Sequence, residues 1–91
     1  MTMIAVFLKI DEQSLVASLE KLAEQMDVDK LELALDFSAV HRVDSRGSRA
    51  IAEFARKTEE NNIKVVLRGI NIDLYKTMKL MRLTRHFSFA S

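Results

Sequence analysis

The apolar positions of this chain switch repeatedly between two periods. Ile4-Ala5-Val6-Phe7-Leu8-Lys9-Ile10 is a short apolar run rich in β-branched residues, which predicts a strand. From Asp11 the period becomes helical. Leu15, Leu19, Leu22 and Met26 fall on one face while Glu20, Lys21, Glu24 and Gln25 lie off it. Asp11 or Ser14 is placed to cap that helix. Leu31 to Phe37 alternates with a period of two, so it predicts a strand whose odd positions face a core. A turn follows, then a helix from about Ser45 to Glu60. Its inner face is Ile51, Phe54, Ala55 and Thr58, and its outer face is Arg49, Glu53, Lys57 and Glu60. On that outer face Arg49/Glu53 and Glu53/Lys57 have the i,i+4 spacing of helical ion pairs.

Glu59-Glu60-Asn61-Asn62 ends the helix, with an asparagine suited to the left-handed position beyond a helix terminus. Ile63 to Ile70 reads as a third strand. Asn71 or Asp73 opens a third helix with Leu74, Met78 and Met81 inward, and His86 to Phe89 alternates as a short last strand. The order β-α-β-α-β-α, closed by that last strand, defines an α/β fold: a mainly parallel sheet of three to four strands with alternating helices and right-handed crossovers. There is no proline, and there are only two glycines, with no linker or repeat, so residues 1–91 are expected to form one domain. In such folds function gathers where the carboxyl ends of strands meet helix N-termini.

Composition narrows the chemistry. Hydrophobic residues make up 48% and charged residues 30% of the 91, a globular balance, and a net charge of +1 favours neither nucleic acid nor an acidic partner. The absence of cysteine removes disulfides, thiolate nucleophiles and cysteine-based zinc sites, and it suits a reducing cytoplasm. The apolar run from Met3 to Leu8 is too short for a signal-peptide core, and no segment is long enough for membrane insertion. His41 and His86 have no neighbouring ligand pattern, so no metal site is expected. Asp44, Ser45 and His41 supply the residue types of a hydrolase triad, but residues this close in sequence rarely give its geometry, and no nucleophile elbow is present. There is no glycine-rich phosphate loop. Lys76, Lys79, Arg82 and Arg85 recur every third residue and read as a solvated face. These features point away from an enzyme: no catalytic residue and no cofactor is expected.

The informative segment runs from Asp36 to Ser48. Asp44 and Ser45 stand at the start of the second helix, with Gly47 close behind. Two readings are open there. Asp and Ser are preferred caps and Gly permits a tight turn, which makes the cluster structural. Alternatively Ser45 is an exposed hydroxyl at a helix terminus, where an added phosphate would meet free N–H groups and the positive end of the helix dipole.

The pattern Leu33-x-Leu35-Asp36-Phe37-Ser38-x-Val40-x-x-Val43-Asp44-Ser45-x-Gly47, followed by a helix, resembles the STAS domain family, which includes bacterial anti-sigma factor antagonists. The layout of residues 50–87 follows the same family. The resemblance implies a regulatory binding module of the cytoplasm. Ser45 would be phosphorylated by a protein partner, an anti-sigma factor that is also a serine kinase. The unphosphorylated form would bind that partner. Asp44, Arg42, Arg46, Gly47 and Arg49 would form the partner-binding loop around it. Two departures stand out. The loop is basic at Arg42, Arg46 and Arg49, and the family's early strand pair is replaced by one strand running straight into Asp11-Glu12. The stretch Arg68-Gly69-Ile70-Asn71-Ile72-Asp73-Leu74-Tyr75 resembles another branch, the small STAS subunit of bacterial lipid-transport complexes, which implies as alternative partner an ABC transporter ATPase.

Overall fold

A computed structural model of the chain describes residues 4–24 and 31–90; Met3, Gln25 and Met26 lie outside the described residues. The elements are strand β1 (Ile4–Lys9), a 3-10 turn (Glu12–Ser14), helix α1 (Leu15–Glu24), strand β2 (Leu31–Asp36), helix α2 (Ser45–Glu60), strand β3 (Lys64–Arg68), helix α3 (Ile72–Leu80), a second 3-10 turn (Thr84–His86) and strand β4 (Ser88–Ala90). The four strands form one sheet in the order β1-β2-β3-β4, and every pair is parallel. The α/β architecture with a parallel sheet of four strands is therefore present as the periodicity predicts.

Register explains which residues make the core. Leu8, Leu35, Leu67 and Phe89 are cross-strand neighbours on one face, and Leu33 pairs with Val65 on the same side. Leu33, Leu35, Phe37, Val65 and Leu67 are buried. Leu15 and Leu19 of α1, Ile51, Phe54 and Ala55 of α2, and Leu74 and Met78 of α3 join them in one cluster. Thr58, also buried, donates its hydroxyl to the carbonyl of Ala55 at 2.8 Å, so it enters the core without an unpaired polar atom. The opposite face of the sheet carries Phe7, Ala34, Val66 and Ser88 in one row and Lys9, Asp36, Arg68 and Ala90 in the next. None of these residues belongs to the core cluster or packs against it. The described helices thus cover one side of the sheet only.

Four local expectations need correcting. The first helix begins as a 3-10 turn, and Asp11 receives the amide of Ser14 on its carbonyl at 3.1 Å, with no amide bound to its carboxylate. On α2 neither expected i,i+4 ion pair forms. Arg56 instead reaches Glu53 and Glu60, each at 2.8 Å. Glu53 lies three residues before Arg56 and Glu60 four residues after it, so one forked guanidinium bridges both acids. His86 belongs to the 3-10 turn, donating its amide to Leu83 at 3.0 Å, so the last strand begins at Ser88. Gly47 makes no turn: it lies inside α2. Asn62, by contrast, takes the left-handed conformation expected after α2, with φ of 55°.

Candidate functional site

The loop between β2 and α2 leaves the carboxyl end of the sheet under tight control. The Asp36 carboxylate accepts the amide of Ser38 at 2.9 Å, which turns the chain out of β2. Hydrogen bonds from the Ser38 hydroxyl and amide hold the Asp36 carboxyl below its ordinary range. Gly69, at the end of β3, has φ of 71°, and a Cβ there would stand 2.9 Å from that of Ser38. Only glycine meets both demands, and the loop after β3 is thereby seated directly against the loop after β2.

Two residues from elsewhere in the chain fix the next stretch. Glu12, in the turn after β1, accepts the amides of His41 and Arg42 on one carboxylate oxygen at 2.6 and 2.9 Å. These two N–H groups, that of Arg42 foremost, hold the Glu12 carboxyl below its usual value. Asn71 approaches from the start of α3. Its amide nitrogen donates to the carbonyl of His41 at 3.0 Å, and its side-chain oxygen accepts the amide of Leu74 at 2.8 Å, capping that helix. Of the two residues expected to open α3, Asn71 is the one that does so.

Asp44 is the N-cap of α2. Its carboxylate accepts the amide of Gly47 at 2.8 Å and its carbonyl accepts that of Ser48 at 2.8 Å. Ser45, the first residue of the helix, is exposed. Gly47 is buried because the first turn of α2 packs closely on its surroundings. A Cβ there would lie 2.5 Å from Cγ1 of Val43 and 3.2 Å from Cδ2 of Leu15. The glycine therefore serves close approach of α2 to α1.

Arg42, Asp44, Arg46 and Gly47 line a groove of about 600 Å³ that runs against Glu12 and Gln13. Arg46 continues into a second groove of about 540 Å³ between α1 and α2, which Arg49 borders with Glu20 and Glu24 opposite. Ser45 is exposed and lines neither groove, whereas the basic side chains border the grooves on the α1 side of the helix terminus. Among the described residues no three His, Asp or Glu side chains come together as a metal site, and no helix is long and apolar enough to cross a membrane.

Glu12 and Asn71 were not recognisable as parts of this site from sequence. Glu12 lies 29 and 30 residues from the amides it binds, and nothing local marks an acid that pairs with backbone so far away.

A parallel α/β domain whose second crossover presents an aspartate-capped, serine-bearing helix terminus beside a glycine-packed first turn defines a small class of domains. The chain belongs to that class, the STAS domain family, whose model matches residues 2–91. Among solved structures it is similar to a chain from the molecular architecture of the stressosome, a signal integration and transduction hub. That chain is 29% identical, with a TM-score of 0.71, over 92% of this chain and 78% of the other. It is also similar to RsbS of Moorella thermoacetica in a form with a serine-to-glutamate substitution, at 27% identity and a TM-score of 0.73, again over 92% and 78% of the two chains. A search of curated protein sequences finds no match.

Proposed function

We propose that this protein is a non-catalytic regulatory module of the cytoplasm that a protein partner binds at the first turn of α2, with Ser45 as the phospho-acceptor of a serine kinase. The observation that carries the reading is an exposed Ser45 on a terminus that everything around it immobilises. Asp44 caps the helix, Gly47 packs it down, and Glu12 and Asn71 hold the incoming loop. A preorganised docking surface loses little freedom on binding. One charged group added to it changes the binding energy directly.

Phosphate on Ser45 adds about −1.5 to −2 charges at neutral pH beside the Asp44 carboxylate and releases the partner by repulsion and desolvation. The solved neighbours support this reading, since one comes from a signal integration and transduction hub and the other carries glutamate in place of a serine. Arg42, Asp44, Arg46, Gly47 and Arg49 frame the contact on the side facing α1, and the partner is an anti-sigma factor with serine kinase activity.

The test compares wild type, Ser45→Ala and Ser45→Asp as bait in native lysate, with phosphopeptide mass spectrometry of the recovered chain. A kinase retained by wild type and Ser45→Ala, lost by Ser45→Asp, and leaving phosphate on Ser45 is the expected result. Equal retention of one partner by all three overturns the switch, and an ABC transporter ATPase as that partner replaces it with the transporter-subunit role.

A further inference from the structure

All-parallel sheets are normally covered on both faces, because their crossover connections place helices there. Here every described helix packs on the Leu35/Leu67 side. The other side carries Phe7, 58% exposed, in one row with half-buried Ala34 and Val66. Charged rows flank this apolar strip. Glu32 and Lys64 are paired neighbours toward the amino ends of β2 and β3, and Asp36 and Arg68 are paired neighbours at the carboxyl ends. Neither pair forms a salt bridge within the sheet among the described residues.

We infer that this face, which no described helix covers, is covered by a second copy of the same chain, stacked sheet on sheet about a twofold axis parallel to the strands, between β2 and β3. Charge selects that axis. A twofold in the plane of the face but perpendicular to the strands would set Glu32 against the second copy's Asp36, and Lys64 against its Arg68, four repulsive contacts in all. The axis along the strands exchanges β2 with β3 and keeps each row at its own height. Glu32 then meets Lys64, Asp36 meets Arg68, Ala34 meets Val66 and Phe7 meets Ser88, each twice over. Such a self-complementary pattern is what an isologous interface requires. Stacked sheets lie about 10 Å apart and rotate by roughly 30°. The two strands next to the axis carry all four charged residues of the pairing, so that rotation displaces them least.

Four strands at about 4.8 Å spacing make a face under about 20 Å across. That places the contact at the small end of specific interfaces, about 1,200 Å² or less in total. The dimer is accordingly weak and salt-sensitive. The inference is independent of the role of Ser45, which lies off this face.

Sedimentation velocity of the whole chain from about 5 to about 500 μM reads the association directly, since a weak dimer forms by mass action. Wild type is expected to pass from monomer to dimer across that range. Glu32→Lys is expected to weaken dimerisation roughly tenfold, because two symmetric attractions become repulsions, and Glu32→Lys/Lys64→Glu is expected to restore it. Phe7→Ser, on an exposed side chain outside the core, weakens it without touching folding, which covers the case of a misfolded charge variant. The chain has no cysteine of its own. Phe7→Cys/Ser88→Cys should therefore yield crosslinked dimer with a bis-maleimide spanning about 10 Å, the spacing of packed sheets, while either single variant should not. A wild type that stays monomeric throughout overturns the inference. So does a dimer that Glu32→Lys and Phe7→Ser leave unchanged.

Discussion

Glu12 and Asn71 hold the same residue, His41, by its two backbone groups. The Glu12 carboxylate takes the amide of His41 at 2.6 Å, and the Asn71 side chain gives a hydrogen bond to the carbonyl of His41 at 3.0 Å. The segment leading to Ser45 is thus tied at once to the turn after β1 and to the start of α3.

Protonating Glu12 should release half of that grip. The Arg42 and His41 amides depress its carboxyl in the folded state, so its stabilising contribution is complete above the ordinary glutamate range and is lost as pH falls through the lowered value. Hydrogen exchange followed from about pH 7 to about pH 3, corrected for intrinsic rates, should show the His41 and Arg42 amides protected at neutral pH and opening in acid. In Glu12→Gln the same amides should be less protected at neutral pH, and the acid step should vanish. An unchanged acid step would assign it to another carboxylate.

Asn71→Ala should cost about 1 kcal/mol through the lost cap of α3. It should also raise exchange at Arg42, which the mutated side chain does not touch. A cap loss confined to α3 would leave that amide unmoved, and comparing the two sites distinguishes the cases.

Gly47→Ala should destabilise the protein by about 1–2 kcal/mol in urea unfolding, although alanine is the better helix former by about 1 kcal/mol. The new methyl group meets Val43 at 2.5 Å and Leu15 at 3.2 Å, and overpacking outweighs propensity. Val43→Ala on the same background should recover most of the loss, a coupling readable from the double-mutant cycle.

Replacing Arg46 by Ser and Arg49 by Gly probes the basic wall beside α2. If these side chains hold the phosphate of a modified Ser45, the double variant should make phosphorylation more disruptive to partner binding. If they dock an acidic partner instead, the unphosphorylated variant should bind more weakly, with a loss that shrinks as salt is raised. Affinities at low and high salt, with and without phosphate, decide between the two. The glycine lowers helix stability by about 1 kcal/mol, so unfolding is measured alongside.

Phe54 anchors the inner face of α2, stacked on Phe87 with centroids 6.5 Å apart. Phe54→Ala should cost about 3–5 kcal/mol by denaturant unfolding. A loss below about 1 kcal/mol would mean that the void collapses and the stack matters little.

The strands and helices were legible because period-two and period-3.6 patterns record which face is buried, and Leu33/Leu35/Phe37 and Ile51/Phe54/Ala55 state those faces without ambiguity. Asp44 as cap and Asn62 as the left-handed stop follow from local backbone chemistry. What escaped was every feature made by residues distant in sequence. The reach of Glu12 to His41 and Arg42, the close approach of Gly69 to Ser38, and the packing of Gly47 toward Leu15 depend on how crossovers set loops against one another. Arg82 escaped for another reason. It holds φ of 61° after α3, a conformation that its side chain does not advertise, and the turn closes instead through Leu83, whose amide bonds Met78 at 2.9 Å. The choice of Arg56 over Arg49 as partner of Glu53 shows the same limit on a smaller scale, since spacing permits several pairings and geometry selects one.

The order of the strands in space is the order of the strands in the chain, β1-β2-β3-β4. No strand has to be threaded between two already paired, so the sheet can grow by accretion as the polypeptide leaves the ribosome, each βα unit docking on the last. Val43, Asp44 and Gly47 pack and cap against one another and against Leu15 of α1, all of which precede α3 in the chain. The grip of Asn71 arrives only with α3. During synthesis the serine-bearing turn is therefore assembled early and locked late, and in a nascent chain the loop before it stays untied on one side until Asn71 and α3 are in place.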